Sequence, residues 1–203
     1  MREQKLQRVS DFDQDLIDSL NAESNRGIAL VAAAILDEAL LALLFSTILS
    51  TLSDDKHRIK IRDLLFHEQG PLQTFSAKID LAYVSGGIEE QERKALHIIR
   101  KIRNDFAHTV YLDFSDQSIQ ARIGNLRELL FPKTEPKIEG RLLNKLGVIL
   151  HRIAEEQAAK GTRDLFDLCV SSLHSALVYR IEDCRFKLER SRPTVYERLR
   201  WND

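Results

Sequence analysis

The chain has 203 residues, of which 43% are hydrophobic and 30% are charged, with only 8 glycines and 4 prolines. This balance excludes a disordered or collagen-like chain, and the length suffices for one well-cored domain without requiring two. The formal net charge of -1 excludes a global attraction to nucleic acid or to a membrane surface, so any such binding must come from a local patch.

Apolar residues recur with helical spacing along almost the whole chain, and no run of alternating β-branched residues is bounded by turn signals. The sequence therefore predicts an all-α fold. Breaks between helices are indicated by Gly70-Pro71, by Gly86-Gly87, and by Pro132 with Pro136. In chain order, the predicted helices cover residues 11–24, 26–52, 58–67, 72–85, 89–110, 116–130, 138–160 and 162–190.

The longest apolar segment, from Ile28 to Leu52, is long enough to span a bilayer. It contains Asp37 and Glu38, and an acidic residue at the centre of an inserted helix costs roughly 3 kcal/mol. We therefore interpret the segment as the buried central helix of a bundle and expect no membrane partner. Either acid could hold an arginine of a functional site, but a cap or a pair with a Lys or Arg inside the bundle is the favoured interpretation.

The segment FPKTEPK, residues 131–137, is the only credible internal boundary. It predicts a helical bundle over residues 1–132 and a C-terminal helical pair over residues 133–203, packed on the core or on a partner because so short a linker does not free an independent domain. The last helix carries a long apolar stripe, for which a second subunit is a plausible target. The stripe consists of Leu165, Cys169, Leu173, Ala176, Leu177, Ile181, Cys184 and Leu188.

The histidine and cysteine spacings indicate neither a metal site nor a cofactor. Cys169 and Cys184 fall on one predicted helix, roughly 22 Å apart, and cannot bridge each other. They are interpreted as small core residues. The N-terminal stretch MREQKLQRVS has no apolar segment typical of a signal peptide, so a reducing cytoplasm is the expected location.

The stretch IIRKIRNDFAHT, residues 98–109, combines structural apolar residues with polar residues that could carry chemistry. At 100° per residue, one apolar face collects Leu96, Ile99, Ile102, Phe106 and Val110. Arg100, Asn104 and His108 form a polar stripe on the far side, and Arg103 lies on the flank of the apolar face. Because Arg103 and His108 are about 140° apart, they could meet at one site only if the helix ends or bends near His108, or if a second copy completes the site.

The spacing from Arg103 to His108 is weak evidence by itself, because RDLLFH, Arg62 to His67, has the same spacing. The context distinguishes the match at Arg103 to His108. It has a polar residue directly after the arginine, a strong helix before it and a small residue before the histidine.

In this context, IRKIRNDFAH resembles the signature of the HEPN superfamily, α-helical domains whose nucleases carry Arg, a polar residue, three further residues and His near a helix end. A narrower resemblance, over about residues 20–130, is to the mannitol operon repressor (MtlR) family of bacterial proteins. It rests on LVAAAILDEALLALL, GPLQTFSAKIDLAYVSGGI and IRKIRNDFAH in that order. Lys78, Tyr83 and Gly87 are more specific to it than the Arg-to-His spacing, although core or interface roles are favoured for Lys78 and Tyr83. The resemblance implies a HEPN-like helical bundle.

One function that the resemblance implies is a metal-independent endoribonuclease or toxin, acting on RNA as a homodimer in which two motifs meet. Such cleavage needs a base, an acid and cations for the phosphorane. A histidine, with a pKa of about 6.5 in water, suits the first two roles, which we assign to His108. Arg103 would hold phosphate, Asn104 would orient the imidazole or the ribose, and Arg100 and Glu38 would support them. Equally open is a buried structural role for Arg103 and His108.

The alternative function is a non-catalytic regulator related to the mannitol operon repressor family, acting through a protein partner. No helix-turn-helix pattern is visible and the net charge is near zero, so direct DNA binding is not expected. An antitoxin is a further possible partner of the nuclease.

Overall fold

The computed structural model describes residue 20 and residues 22–47, 55–66, 70–132 and 161–191. Within these ranges the chain forms helices joined by turns and loops, with no strand, which confirms the all-α prediction. The predicted helix at 138–160 lies outside the described residues, and the one at 11–24 lies almost wholly outside them. The helices are α1 (Asn25–Thr47), α2 (Asp55–Phe66), α3 (Phe75–Val84), α4 (Glu90–His108), α5 (Gln117–Leu130) and α6 (Thr162–Ser191).

Helix α1 is the centre of the bundle. It is rich in alanine and leucine, which favour helix, and it begins where the Ser24 hydroxyl accepts a hydrogen bond from the Gly27 amide (3.0 Å). By length and composition it is the one helix of the described ranges that could cross a membrane. Its apolar residues from Ile28 to Leu44 instead line the core, where α3, α4 and α6 pack against it.

Helices α3 and α4 are separated by a glycine turn. The predicted start of α3 at residue 72 is three residues early, because the Thr74 hydroxyl caps the helix by accepting from the Ala77 amide (3.2 Å). The predicted break at Gly86-Gly87 is confirmed. Gly86 has φ +71°, a left-handed conformation that glycine adopts without strain, and the Gly87 amide donates to the Ala82 carbonyl (2.8 Å).

Helix α4 is shorter at its C-terminus than predicted. The Thr109 amide donates to the Asp105 carbonyl (3.0 Å), and Thr109 then adopts an extended conformation that ends the helix. Val110, which periodicity placed on the buried face, therefore lies beyond the helix and is 73% exposed. The helical period applies only while the helix continues, which explains this error.

The apolar stripe of α6 packs against α1 and α5 of the same chain: its side chains between Cys169 and Ile181 are buried, and those of Leu165 and Cys184 are half-buried. An aromatic series reinforces this packing, since the ring of Phe114 lies 5.0 Å from that of Phe106 and 5.4 Å from that of Phe166. From Cys169 to Ile181 the stripe therefore does not need a second subunit to cover it. The domain boundary at residues 132–133 and the pairing of α6 with a helix at 138–160 stay predictions.

Both cysteines lie on α6, and Cys169 belongs to the core, in agreement with the sequence. Burial raises the pKa of the Cys169 thiol to about 12. A thiol of this kind stays protonated at neutral pH and is a poor nucleophile, so its contribution is packing.

Asp167 is a buried carboxyl group on α6. It is 6% exposed, and neither of its side-chain oxygens accepts a hydrogen bond from a described residue. Burial raises the pKa of Asp167 to about 7, although Arg163 opposes the shift. Because the pKa of Asp167 is higher in the folded than in the unfolded state, its contribution to stability is largest at low pH. This contribution is lost as the pH rises toward 7.

We expect Asp167→Asn to reduce this pH dependence. Between pH 5 and pH 8, the free energy of unfolding should fall by roughly 2 kcal/mol more in the wild type than in the variant. Urea titrations at the two pH values measure it. Asp164→Asn, on the same helix but half-buried, should stay close to the wild-type curve, because Asp164 makes only the smallest contribution to the raised pKa of Asp167. If Asp167→Asn also follows that curve, the carboxyl group is already ionised in the folded chain.

Candidate functional site

The predicted site lies on α4, and the buried face of this helix determines which residues reach solvent. Leu96, Ile99, Ile102 and Phe106 are fully buried. Arg103 and His108 are exposed, whereas Arg100 and Asn104 are half-buried. The expected stripe of three exposed polar residues is therefore partly covered, because α1, α3 and α5 surround α4 on several sides.

Arg103 and His108 do not approach each other in one chain. Helix α4 continues without a break through His108, which keeps the two Cα positions about 140° apart around its axis. The Arg103 guanidinium instead donates from Nη1 to the Asn104 side-chain oxygen (3.0 Å). This bond occupies an acceptor that the predicted mechanism assigns to His108 or to a ribose.

His108 stands at the C-terminal end of α4, and no described residue makes a hydrogen bond or ion pair with it. The carbonyl of the next residue, Thr109, accepts a hydrogen bond from Arg26 Nη2 (2.6 Å). Arg26 thus brings the start of α1 to the end of the motif. Arg26 could not be identified from the sequence, because a separation of 83 residues leaves no local signal for the contact.

Arg100 and Glu38 were predicted to support the site. The Nε atom of Arg100 is enclosed but donates to no described residue. Glu38 is exposed on α1 and pairs with no described arginine. Its neighbour Asp37 accepts a hydrogen bond from the buried Lys78 ammonium (2.7 Å), which is the bundle pairing favoured from the sequence. The supporting roles of Arg100 and Glu38 stay predictions.

A second polar cluster, not identified from the sequence, joins α3 to α4. Asp80 Oδ1 accepts from Arg93 Nε (2.8 Å) and lies 3.2 Å from His97 Nε2. The Arg93 guanidinium lies 5.2 Å from the centre of the Tyr83 ring. Arg93, and to a smaller extent His97, lower the pKa of Asp80. The carboxylate is already engaged by Arg93 and His97, so the cluster is explained by helix packing. The i, i+4 spacing of Arg93 and His97 was its signal in the sequence.

Metal chemistry finds no support within the described ranges, where no three His, Cys, Asp or Glu side chains come together as potential ligands. The motif thus presents arginine side chains and an imidazole on a surface. An active site would need further groups from another part of the chain or from a second copy.

No protein-family model matches the chain, and no curated protein matches it. The structure is similar to that of MtlR in the X-ray structure of the MtlR-HPr complex from Escherichia coli. The TM-score is 0.59 and the identity 22%, over 82% of this chain and 98% of the other. Because residues 20–130 make up only a little over half of this chain, the likeness extends beyond the segment that carries the sequence resemblance. The chain has the fold of MtlR.

Proposed function

We propose that the chain is a non-catalytic regulatory module that binds a partner protein. The observation that carries this proposal is the separation of Arg103 and His108 by about 140° around α4, with Arg103 bonded to Asn104. A nuclease needs its base and its phosphate-binding cation within about 3 Å of the same reacting groups. Surface cations and an exposed imidazole instead suit recognition of another protein.

The fold supports a protein as the partner, since the similar MtlR was solved in complex with HPr. HPr is therefore the first candidate for this chain. Direct DNA binding is the weaker variant of a regulator here, because the chain is almost neutral and its sequence shows no helix-turn-helix pattern.

The second candidate is the metal-independent ribonuclease or toxin. One observation favours it: both Arg103 and His108 are exposed at the same end of α4. A second copy could supply the residue that each motif lacks, which would make the active species a homodimer.

Calorimetric titration of the full chain with Escherichia coli HPr tests the proposal. We expect a saturable binding signal. We also expect no cleavage of single-stranded RNA in EDTA by the wild type or by His108→Ala.

The matched control is His97→Ala, which removes another histidine of α4. If the wild type cleaves RNA, His108→Ala loses at least about 100-fold in rate and His97→Ala does not, the chain is a nuclease. Absence of HPr binding together with that result would replace the regulator by the second candidate.

A further inference from the structure

Two apolar residues project into solvent directly after the motif. Val110 is 73% exposed and Tyr111 is 95% exposed. The loop around them is otherwise well packed, since Leu112 is half-buried and Phe114 is buried between two other aromatic rings. The exposure of Val110 and Tyr111 therefore does not follow from a loosely packed loop.

The loop is held on both sides of these two residues. Before them, Arg26 donates to the Thr109 carbonyl (2.6 Å). After them, the Asn25 amide donates to the Asp113 carboxylate, and the Asp113 amide donates to the Asp116 side chain (2.6 Å). A turn held in this way loses little conformational entropy when it binds, so the two side chains are presented ready for contact.

One cationic side chain is available for a partner in the last turns of α4, before these residues. Arg103 and His108 are exposed and make no ion pair with a described residue. Of the acids that lie close by in the chain, Asp105 forms an ion pair with Arg122 at 3.0 Å, although without hydrogen-bond geometry at Arg122 Nε. Asp113 accepts from Ser115 and Asn25, neutral groups that lower its pKa and leave it negatively charged. A complementary partner would therefore place a carboxylate against Arg103 and keep its other acids away from Asp113.

We propose that Arg103, His108, Val110 and Tyr111, here called the α4-end surface, bind the partner protein of the proposed function. The partner supplies an apolar socket for Tyr111 and Val110, a carboxylate that faces Arg103 and a polar group that faces His108. This inference rests on the proposed function and assigns its binding surface.

A protein fits this surface better than a nucleic acid does. Tyrosine and arginine are the residues that most often dominate the binding energy of protein interfaces. Single-stranded nucleic acid is instead bound by aromatic rings on which successive bases stack. Val110, the apolar neighbour of Tyr111, offers no such stacking face.

The test is calorimetric titration of full-length variants with Escherichia coli HPr. Tyr111→Ala and Arg103→Glu should each weaken binding at least tenfold. Val84→Ala removes an apolar side chain that is 80% exposed elsewhere, and Lys94→Glu reverses an exposed charge near the start of α4, roughly 21 Å along the helix axis from His108. Both controls should bind within twofold of wild type, and all four variants should keep the wild-type melting temperature.

The outcomes separate the surface from the function. Wild-type binding that Tyr111→Ala and Arg103→Glu leave unchanged overturns the α4-end surface while the proposed function stands. A wild type that does not bind HPr removes both. If Tyr111→Ala instead lowers the mass of the free chain in light scattering, the surface joins two copies, and the inference is overturned. Binding of RNA that Arg103→Glu abolishes, with HPr binding intact, overturns it as well.

Discussion

Truncation of Phe106 in Phe106→Ala is expected to lower the free energy of unfolding by about 3–5 kcal/mol. Phe106 is fully buried on α4, and its ring lies 5.0 Å from that of Phe114, which in turn lies 5.4 Å from that of Phe166 on α6. The substitution leaves a cavity at the start of this series, because close-packed neighbours relax only partly. Urea denaturation measures the change.

The matched control is Tyr111→Ala, which removes an aromatic ring of similar size from a position that is 95% exposed. It should stay within about 0.5 kcal/mol of wild type. Phe106→Leu should lose less than Phe106→Ala because it leaves a smaller cavity. If Phe106→Ala lost no more than Tyr111→Ala, the aromatic series would not be part of the cooperative core.

Arg180→Met is the second substitution with a large expected effect, a loss of about 3–5 kcal/mol in the free energy of unfolding. Glu92, at the start of α4, is 2% exposed, and both its carboxylate oxygens accept from Arg180 Nη1 on α6 (2.7 Å). Loss of the guanidinium leaves a buried carboxylate without its cation, which is far more costly than loss of an exposed pair.

The pH dependence of this loss has a definite sign. Burial already raises the pKa of Glu92, and Arg180 opposes that shift. Arg180→Met removes the opposing charge and raises the pKa further. A carboxyl group with a raised folded-state pKa stabilises the fold only while it is protonated. The loss should therefore be smallest near pH 4 and increase toward pH 8, as urea titrations at several pH values would show.

Glu92→Gln combined with Arg180→Met should recover most of the loss, because glutamine carries no charge and can still accept from the Glu89 amide, as Glu92 does (2.6 Å). Arg93→Met, which breaks the surface pair with Asp80, should change stability little. A loss that does not vary with pH would show that Arg180 acts through packing of its alkyl chain and not through its charge.

The helices themselves could be predicted from the sequence to within a few residues at most ends. The all-α fold, the central apolar helix and the break at Gly86-Gly87 depend on composition and local periodicity, which the sequence contains directly. The start of α3 at Phe75 and the end of α4 at His108 differed from prediction. Each of these ends depends on a cap or turn, and several positions within a few residues of each other could have supplied it.

For the predicted site, too, the features that depend on local periodicity were predicted and the others were not. Periodicity placed Ile102 and Phe106 correctly on the buried face of α4, and it gave the 140° separation that argued against an intrachain meeting of Arg103 and His108. It did not identify Arg26 at the end of the motif. The fold also shows Val110 and Tyr111 exposed beyond the helix, where the helical period no longer applies.

The amino-acid sequence by itself determined which segments are helical and which stripe of each helix is apolar, because propensity and periodicity act between residues a few positions apart. Only the tertiary structure decided which polar groups are buried and paired. Lys78 meets Asp37 across 41 residues, and Arg180 meets Glu92 across 88 residues. These pairs exist because packed helices exclude water and place distant side chains within hydrogen-bond distance, where a buried charge needs a partner.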